Sequence, residues 1–307
     1  MKYILTVFLV VATIYQGSAC DGCSAFSRVR PNDYSHTLGV HFNQRVLAGY
    51  LPAGLKHLGH LSGLYSEDYL QENFTTREIR GRYRMSNRLA VFGIMPVKFN
   101  SRTQNNELRE KSAGVGDPSM FAEYRPFLPK TDNVFKFMLN LRVGVKFPLG
   151  ETRASYEDEL LDHDFQLSSG SYDGFLGSEL YAGTENLGIV FSQLYRKNMV
   201  NTSGYKFGDV YSAMGLVTYR INNTESTYSL AVGPQFEVQT EDEQSDYILE
   251  GTSREIMSAA LRADYSRGKF ENFATLTVPI NQKITELETL PLKYQVQIGI
   301  NYLISKK

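Results

Sequence analysis

Tryptophan is absent from this 307-residue chain, and cysteine occurs only twice, at Cys20 and Cys23. Two cysteines cannot build a disulfide-stapled scaffold, and no second pair completes a four-cysteine zinc site. Charge of one sign is also missing, since 32 Lys and Arg stand against 33 Asp and Glu. The sequence therefore offers no basic footprint, and no nucleic-acid partner is expected. Beyond the N-terminal residues no apolar run reaches the roughly 20 residues of a membrane-spanning helix. No cofactor motif is present, and no cofactor is expected. A catalytic array needs a nucleophile or activated water, a base and an orienting group. The only compact candidate is Asp162-His163-Asp164, and neighbours on one loop rarely form such an array, so an enzyme, whether a lipase or a protease, is not expected.

What is present is aromatic. Tyr at 20 and Phe at 18 are abundant, and such residues favour pleated strands and membrane interfaces alike. At the N-terminus, Lys2, an apolar run from Tyr3 to Ile14 and the small residues Gly17, Ser18 and Ala19 lay out a secretory signal peptide, residues 1–19. Cleavage after Ala19 leaves Cys20 first. For Cys20 and Cys23 three readings stay open: a disulfide, a lipid on Cys20, or metal or redox binding. Residues 20–35 are read as an N-terminal periplasmic segment, serving as a plug or a lipid anchor, and residues 36–304 as one domain.

That domain alternates apolar and polar residues in about twelve segments. They fall at 36–48, 74–85, 88–99, 117–126, 134–147, 172–183, 186–197, 206–220, 226–239, 254–266, 269–279 and 292–304. In 135–147, Phe135, Phe137, Leu139, Leu141, Val143, Val145 and Phe147 share one face, opposite Lys136, Asn140, Arg142, Gly144 and Lys146. Near the C-terminus, Tyr294, Val296, Ile298, Ile300 and Tyr302 alternate with Gln295, Gln297, Gly299 and Asn301. The gaps alternate too. Short turns at 86–87, 127–133, 184–185, 221–225 and 267–268 interleave with long connections at 49–73, 100–116, 148–171, 198–205, 240–253 and 280–291. A transmembrane β-barrel has this rhythm: an even strand number, short periplasmic turns and long outer loops. The expected fold is thus all-β, a transmembrane antiparallel barrel of about twelve strands, ten or fourteen being the alternatives. A secreted soluble β-protein is the competing architecture; it would pack the apolar faces together rather than against lipid.

Several motifs carry a resemblance. "GVGDPSMFAEYRPF" at 114–127, "LRVGVKFPLGE" at 141–151 and "GYKFGDVYSAMGLVTYRI" at 204–221, with "CDGCSAF" at 20–26, resemble Bacteroidetes-type outer-membrane β-barrels. These are described as transporters or phenol-degradation meta-pathway proteins and are thought to be related to long-chain fatty-acid channels. The resemblance covers most of the mature chain, in order. It implies residence in the bacterial outer membrane and passive transport of small hydrophobic or amphipathic solutes. The implied partners are that solute, outer-membrane lipid and the barrel-assembly machinery. A structural barrel without an open pore is the alternative. Where such barrels commonly end on an aromatic residue, this sequence places Tyr302 ahead of Leu303-Ile304-Ser305-Lys306-Lys307.

Candidate lumen- or solute-facing residues follow from the alternation. Glu78, Arg80, Arg82 and Arg84 share one strand face, and charges cost roughly 2–4 kcal/mol each against lipid near the midplane, so they belong inside. Glu123, Arg125, Arg142 and Lys146 join them. Two roles stay open: an ion-pair network with Glu78, Glu123 and Glu179, or a guide for anionic solutes, since Arg forks bind carboxylates and phosphates. Weak candidates for a divalent cation are Glu157, Asp158, Asp162 and Asp164, hard oxygen ligands at a spacing that is not that of an EF-hand; a solvated acidic loop is the plainer reading. His57 and His60 stand in a Leu-rich loop, with 51–64 as an apolar flap. Pro96, Pro118, Pro234 and Pro279 lie in or beside strands, where bulges or strand ends are expected; a bulge at Pro234 is read either as a lateral exit or as a rim irregularity.

Overall fold

In this computed structural model the described residues are 35–50, 69–127, 134–284 and 290–304. The expected signal peptide, Cys20 and Cys23, the segment 51–64 read as a flap with His57 and His60, and the final lysines lie outside them. The strands are β1 (His36–Tyr50), β2 (Tyr69–Arg84), β3 (Leu89–Gln104), β4 (Glu107–Val115), β5 (Ser119–Phe127), β6 (Lys136–Lys146), β7 (Ser155–Tyr156), β8 (Glu159–Leu160) and β9 (Asp173–Gly183). There follow β10 (Leu187–Lys197), β11 (Tyr205–Lys206), β12 (Val210–Asn222), β13 (Ser226–Gln239), β14 (Asp242–Gln244), β15 (Tyr247–Leu249), β16 (Arg254–Arg267), β17 (Phe270–Ile284) and β18 (Leu292–Ile304).

Thirteen of these strands form one sheet in the order β2-β1-β18-β17-β16-β13-β12-β10-β9-β6-β5-β3-β4, and β2 also pairs with β3. The ring is therefore closed. β4 and β5 are two pieces of one stave: β3 pairs with β5 from Leu89 to Ile94 and with β4 from Val97 to Gln104. Counted so, the structure is a twelve-stranded antiparallel barrel. Closure runs from His36↔Ile304 to Leu47↔Leu292 between the first and last strands. A closed ring leaves no row of unpaired backbone groups for lipid to meet.

Alternation is the physical reason for the wall. Phe137, Leu141 and Val143 are exposed on the outside of β6, while Asn140, Arg142 and Lys146 are buried on its inside. On β18, Ile300 and Tyr302 face out while Gln295 and Asn301 are buried inside. Outward aromatics gather towards the short-turn end, at Tyr83, Tyr124, Phe127, Tyr219, Phe270 and Tyr302, and again near the long-loop end, at Tyr195, Tyr211 and Phe236. Two aromatic rows flanking an aliphatic belt match the girdles of a bilayer-facing surface.

The loops depart from the expected lengths. Residues 100–116 are not a long loop: β3 and β4 run on as a hairpin that turns at Asn105 and Asn106, both with positive φ (50° and 71°). Two central residues of positive φ are the mark of the turn that matches strand twist. The same turn recurs at Glu157-Asp158 and Ser245-Asp246, so the connections 148–171 and 240–253 carry their own hairpins, β7–β8 and β14–β15.

The prolines act locally. Pro96 and Pro118 flank the place where β3 changes partner, and Gly116 N–H reaches the Pro96 carbonyl at 2.9 Å. Pro279 borders the register shift opposite Met257 and Ser258. At Pro234 the β12–β13 pairing lapses for two residue pairs, Gly215 with Pro234 and Leu216 with Gly233, without a change of register. β13 keeps one register with β12 on both sides of it, from Met214↔Gln235 to Val217↔Val232, and pairs with β16 directly at Pro234↔Ala259. The Gly233 backbone packs so tightly on the Gly215 carbonyl that a Cβ there would lie 1.9 Å from it.

Candidate functional site: a lumen stoppered at its long-loop end

The lumen carries three layers of side chains. Towards the short-turn end, Arg82 pairs with Glu123, Arg80 pairs with Glu78, and Arg142 donates to Glu123 at 2.8 Å and lies 3.4 Å from Glu179. Arg125 donates to Asn140, which in turn donates to Glu179 at 3.1 Å. The Arg84 guanidinium donates to the carbonyls of Ser86 and Asn87. Of the sequence-predicted residues, Arg82, Glu123, Arg125 and Arg142 are thus brought into one inward network with Glu179. Arg80 and Glu78 form a pair of their own, and Arg84 closes the neighbouring turn.

Above that network lies an apolar cluster of Ile94, Phe121, Phe175 and Leu194, with Phe92 packed against it. Phe92 stacks on Phe121 at 4.7 Å between centroids, and Phe121 covers Gly144. The opposite arc of the barrel, β1, β18 and β17, is largely polar inside, with Phe273 set against His41 at 5.0 Å: His41 contacts Asn301 at 2.9 Å, and Gln295 donates to Asn43 at 3.1 Å. Thr275 and Thr277 are buried beside them.

The third layer is the loop 148–171, which folds into the mouth. Phe165 is 0% exposed. It packs 5.0 Å from Phe74, and the Arg102 guanidinium lies 4.4 Å above its ring. Its carbonyl accepts from Asn100 and Ser112, and Gln166 ties the loop to itself through Ala154 and Leu161. His163 stacks on Tyr205, in β11 of the connection between β10 and β12, at 3.8 Å. The acidic residues of this loop part company. Glu157 and Asp158 form a turn, Asp162 pairs with Arg102 at 3.0 Å, and Asp164 opens to the vestibule. Among the described residues no group of three His, Cys, Asp or Glu is placed to hold a metal ion. Enclosure by protein pushes the Asp164 pKa up to about 6, reinforced by Asp242, Glu72 and Asp162 and opposed by Arg254. Burial holds the His163 pKa below its ordinary value, against the pull of Asp162 and Asp242.

Two sequence motifs meet at the root of this stopper. Asp117, from Gly-Val-Gly-Asp, accepts the backbone N–H of Gly150 and of Ser169, each at 3.1 Å. Lys146 and Gly150 both belong to the second motif, and Lys146 bridges Asp117 and Asp173. Lys146 is therefore drawn into the anchor of the loop. The glycines have a steric reason as well, because a Cβ on Gly114 would lie 2.6 Å from Leu167 of the loop. The third motif repeats the device: Asp209 accepts from Asn198 N–H at 3.0 Å, from Tyr195 and from Lys197. Those hydrogen bonds and that ion pair outweigh partial burial and hold its pKa below the usual carboxylate value.

Sequence reading missed Arg45, Phe165, Asp173 and Glu237. Arg45 on β1 and Glu237 on β13 form an ion pair of 2.8 Å with both side chains almost fully buried. They lie 192 residues apart in sequence, and no local pattern could join them.

No protein-family model and no curated relative matches the chain. Among solved structures, an outer-membrane channel from Pseudomonas putida F1 aligns at a TM-score of 0.60 and 14% identity, over 90% of this chain and 100% of that one. The β domain of a Bordetella autotransporter aligns at 0.46 and 9% identity over 89% and 100%, and the KdgM porin at 0.38 and 9% over 87% and 99%. The first likeness shows the fold: the chain is built as an outer-membrane channel barrel is built.

Proposed function

We propose that this protein is a non-enzymatic channel of the bacterial outer membrane, passing small amphipathic solutes by diffusion, with the loop 148–171 as its outer stopper. The observation that carries this reading is the two-sided lumen under a latched loop. An aromatic and aliphatic arc around Phe92, Phe121 and Phe175 faces an arc of amides and hydroxyls at Asn43, Thr275 and Gln295. A solute with one apolar and one polar side finds both partners there, in keeping with the class of barrels that the sequence resembles. The outward aliphatic belt fits lipid. A barrel with no open path is the second reading, favoured by the ion pairs that tie Arg82 and Arg142 to Glu123.

The test is planar-bilayer conductance of refolded protein, with uptake of a hydrophobic solute into liposomes and with heat-modifiable migration as proof of folding. Conductance or uptake from wild type, or from a variant with the loop unlatched, supports the channel. Neither signal from either protein overturns it and leaves the closed barrel.

A further inference from the structure

The pair Arg45–Glu237 has an unusual position. β1 and β13 are separated around the wall by β18, β17 and β16. An ion pair between them cannot run along the wall as neighbouring pairs do; it crosses the lumen as a chord. The contact is 2.8 Å, and the side chains are 4% and 5% exposed. On the wall side of the chord lie Gln295, paired with Arg45 in the ladder, and Thr277, paired with Gln295. Gln235 joins this group, accepting from Thr277 at 3.4 Å. Across the ring from these staves lies the apolar arc already described.

The charge around this chord is lopsided. Arg254 on β16 lies 3.7 Å from Glu237, and Arg196 on β10 stands within electrostatic reach of the same carboxylate. Guanidinium groups from three staves thus converge on one glutamate. Rings of charged side chains set ion preference in pores, and the water-poor interior strengthens the effect of each charge.

We propose that Arg45 and Glu237 form the selectivity bar of this channel, limiting the width of the path and fixing its charge preference. The proposal rests on the channel reading above. Every solute passing the stopper's seat meets the chord, because Arg45 pairs in the ladder with Phe74, on which Phe165 packs. Removing Arg45 leaves less positive charge around the path, and neutralising Glu237 leaves more. The two changes therefore act oppositely on ion preference, whereas a loss of mere structural support would move both the same way.

The experiment uses full-length refolded protein in planar bilayers under a potassium chloride gradient, comparing wild type, Arg45→Met and Glu237→Gln. Should the stopper keep wild type silent, the same substitutions are made in an Asp117→Ala background, which releases the loop. Each variant is first checked for heat-modifiable migration; Glu237→Gln keeps the size and hydrogen-bonding reach of the side chain, so it remains informative if Arg45→Met fails to fold. The expected result is a larger conductance in Arg45→Met, a reversal-potential shift towards cations in Arg45→Met, and a shift towards anions in Glu237→Gln. Unchanged conductance and reversal potential in a conducting protein overturn the bar alone, as do shifts in the same direction. Silence of every protein, with Asp117→Ala included, overturns the channel reading and the bar with it.

Discussion

The Lys146 ammonium lies 3.6 Å from a carboxylate oxygen of Asp117, and that same carboxylate holds the backbone N–H of both Gly150 and Ser169. One side chain on the barrel wall therefore fastens both ends of the loop that fills the mouth. Asp173 pairs with Lys146 from the other side and also holds Met199 N–H at 3.2 Å. Lys146→Met would leave two buried carboxylates facing one another without their cation. Removing one partner of a buried pair costs about 3–5 kcal/mol. The expected outcome is a folded barrel of lower urea resistance whose loop 148–171 is cut by protease, read by mass spectrometry of the fragments. An intact loop at wild-type urea resistance would contradict the anchor.

The charge network at the short-turn end makes a separate prediction. Glu123 is the carboxylate shared by Arg82 and Arg142. Glu123→Ala should destabilise the barrel by about 3–5 kcal/mol through the uncompensated guanidinium groups, measured by the midpoint of heat-modifiable gel migration. Glu225 offers the control, since it pairs with Arg267 at 2.8 Å but both side chains are more than half exposed. Its loss should change stability by less than about 1 kcal/mol.

The close seating of Phe121 over Gly144 gives a steric test. A Cβ at position 144 would lie 2.3 Å from the Phe121 ring and 2.8 Å from the Met120 carbonyl, a backbone atom. Gly144→Ala must therefore shift backbone as well as ring, at a cost of about 1–3 kcal/mol. Gly81 is the control, because nothing lies within 4 Å of its Cβ position. Gly81→Ala should fold as wild type does in the same urea titration.

Much of this barrel is legible in the sequence, for a physical reason. A period of two is forced on any strand with lipid on one side and a polar lumen on the other, so β6 and β18 announce their faces residue by residue. The network around Glu123 was equally accessible, because Arg82, Glu123, Arg142 and Glu179 sit on the inward face of staves that are neighbours or nearly so. What the period could not reveal was height and span. The strands β3 and β4 run past the point where Pro96 and Pro118 break the pattern, and the turn signal Asn105-Asn106 was the available clue to their hairpin. The seat of Phe165 and the chord from Arg45 to Glu237 depend on how distant staves face one another across the lumen, which no single strand encodes.

The loop also carries two titrations of opposite sign. Asp164 has a pKa raised from 3.8 to about 6 with the loop in place, so the docked loop binds that proton more tightly. This contribution to docking is fully present below the ordinary carboxylate value and is lost as pH rises through about 6. His163 has a lowered pKa, so its contribution is present above the ordinary histidine value and is lost as pH falls through the lowered one. The two oppose each other in mild acid, and single variants separate them. Asp164→Asn should dock the loop more firmly than wild type at neutral pH and change little in strong acid. His163→Gln should lose the stacking on Tyr205 at every pH and remove the acid-side loosening. The chain has no tryptophan, so Tyr156→Trp, beside Phe165 in the apolar cluster of the loop, would report docking as a single emitter. Emission from the two variants that follows the same pH curve as the Tyr156→Trp parent would show that neither group senses the loop.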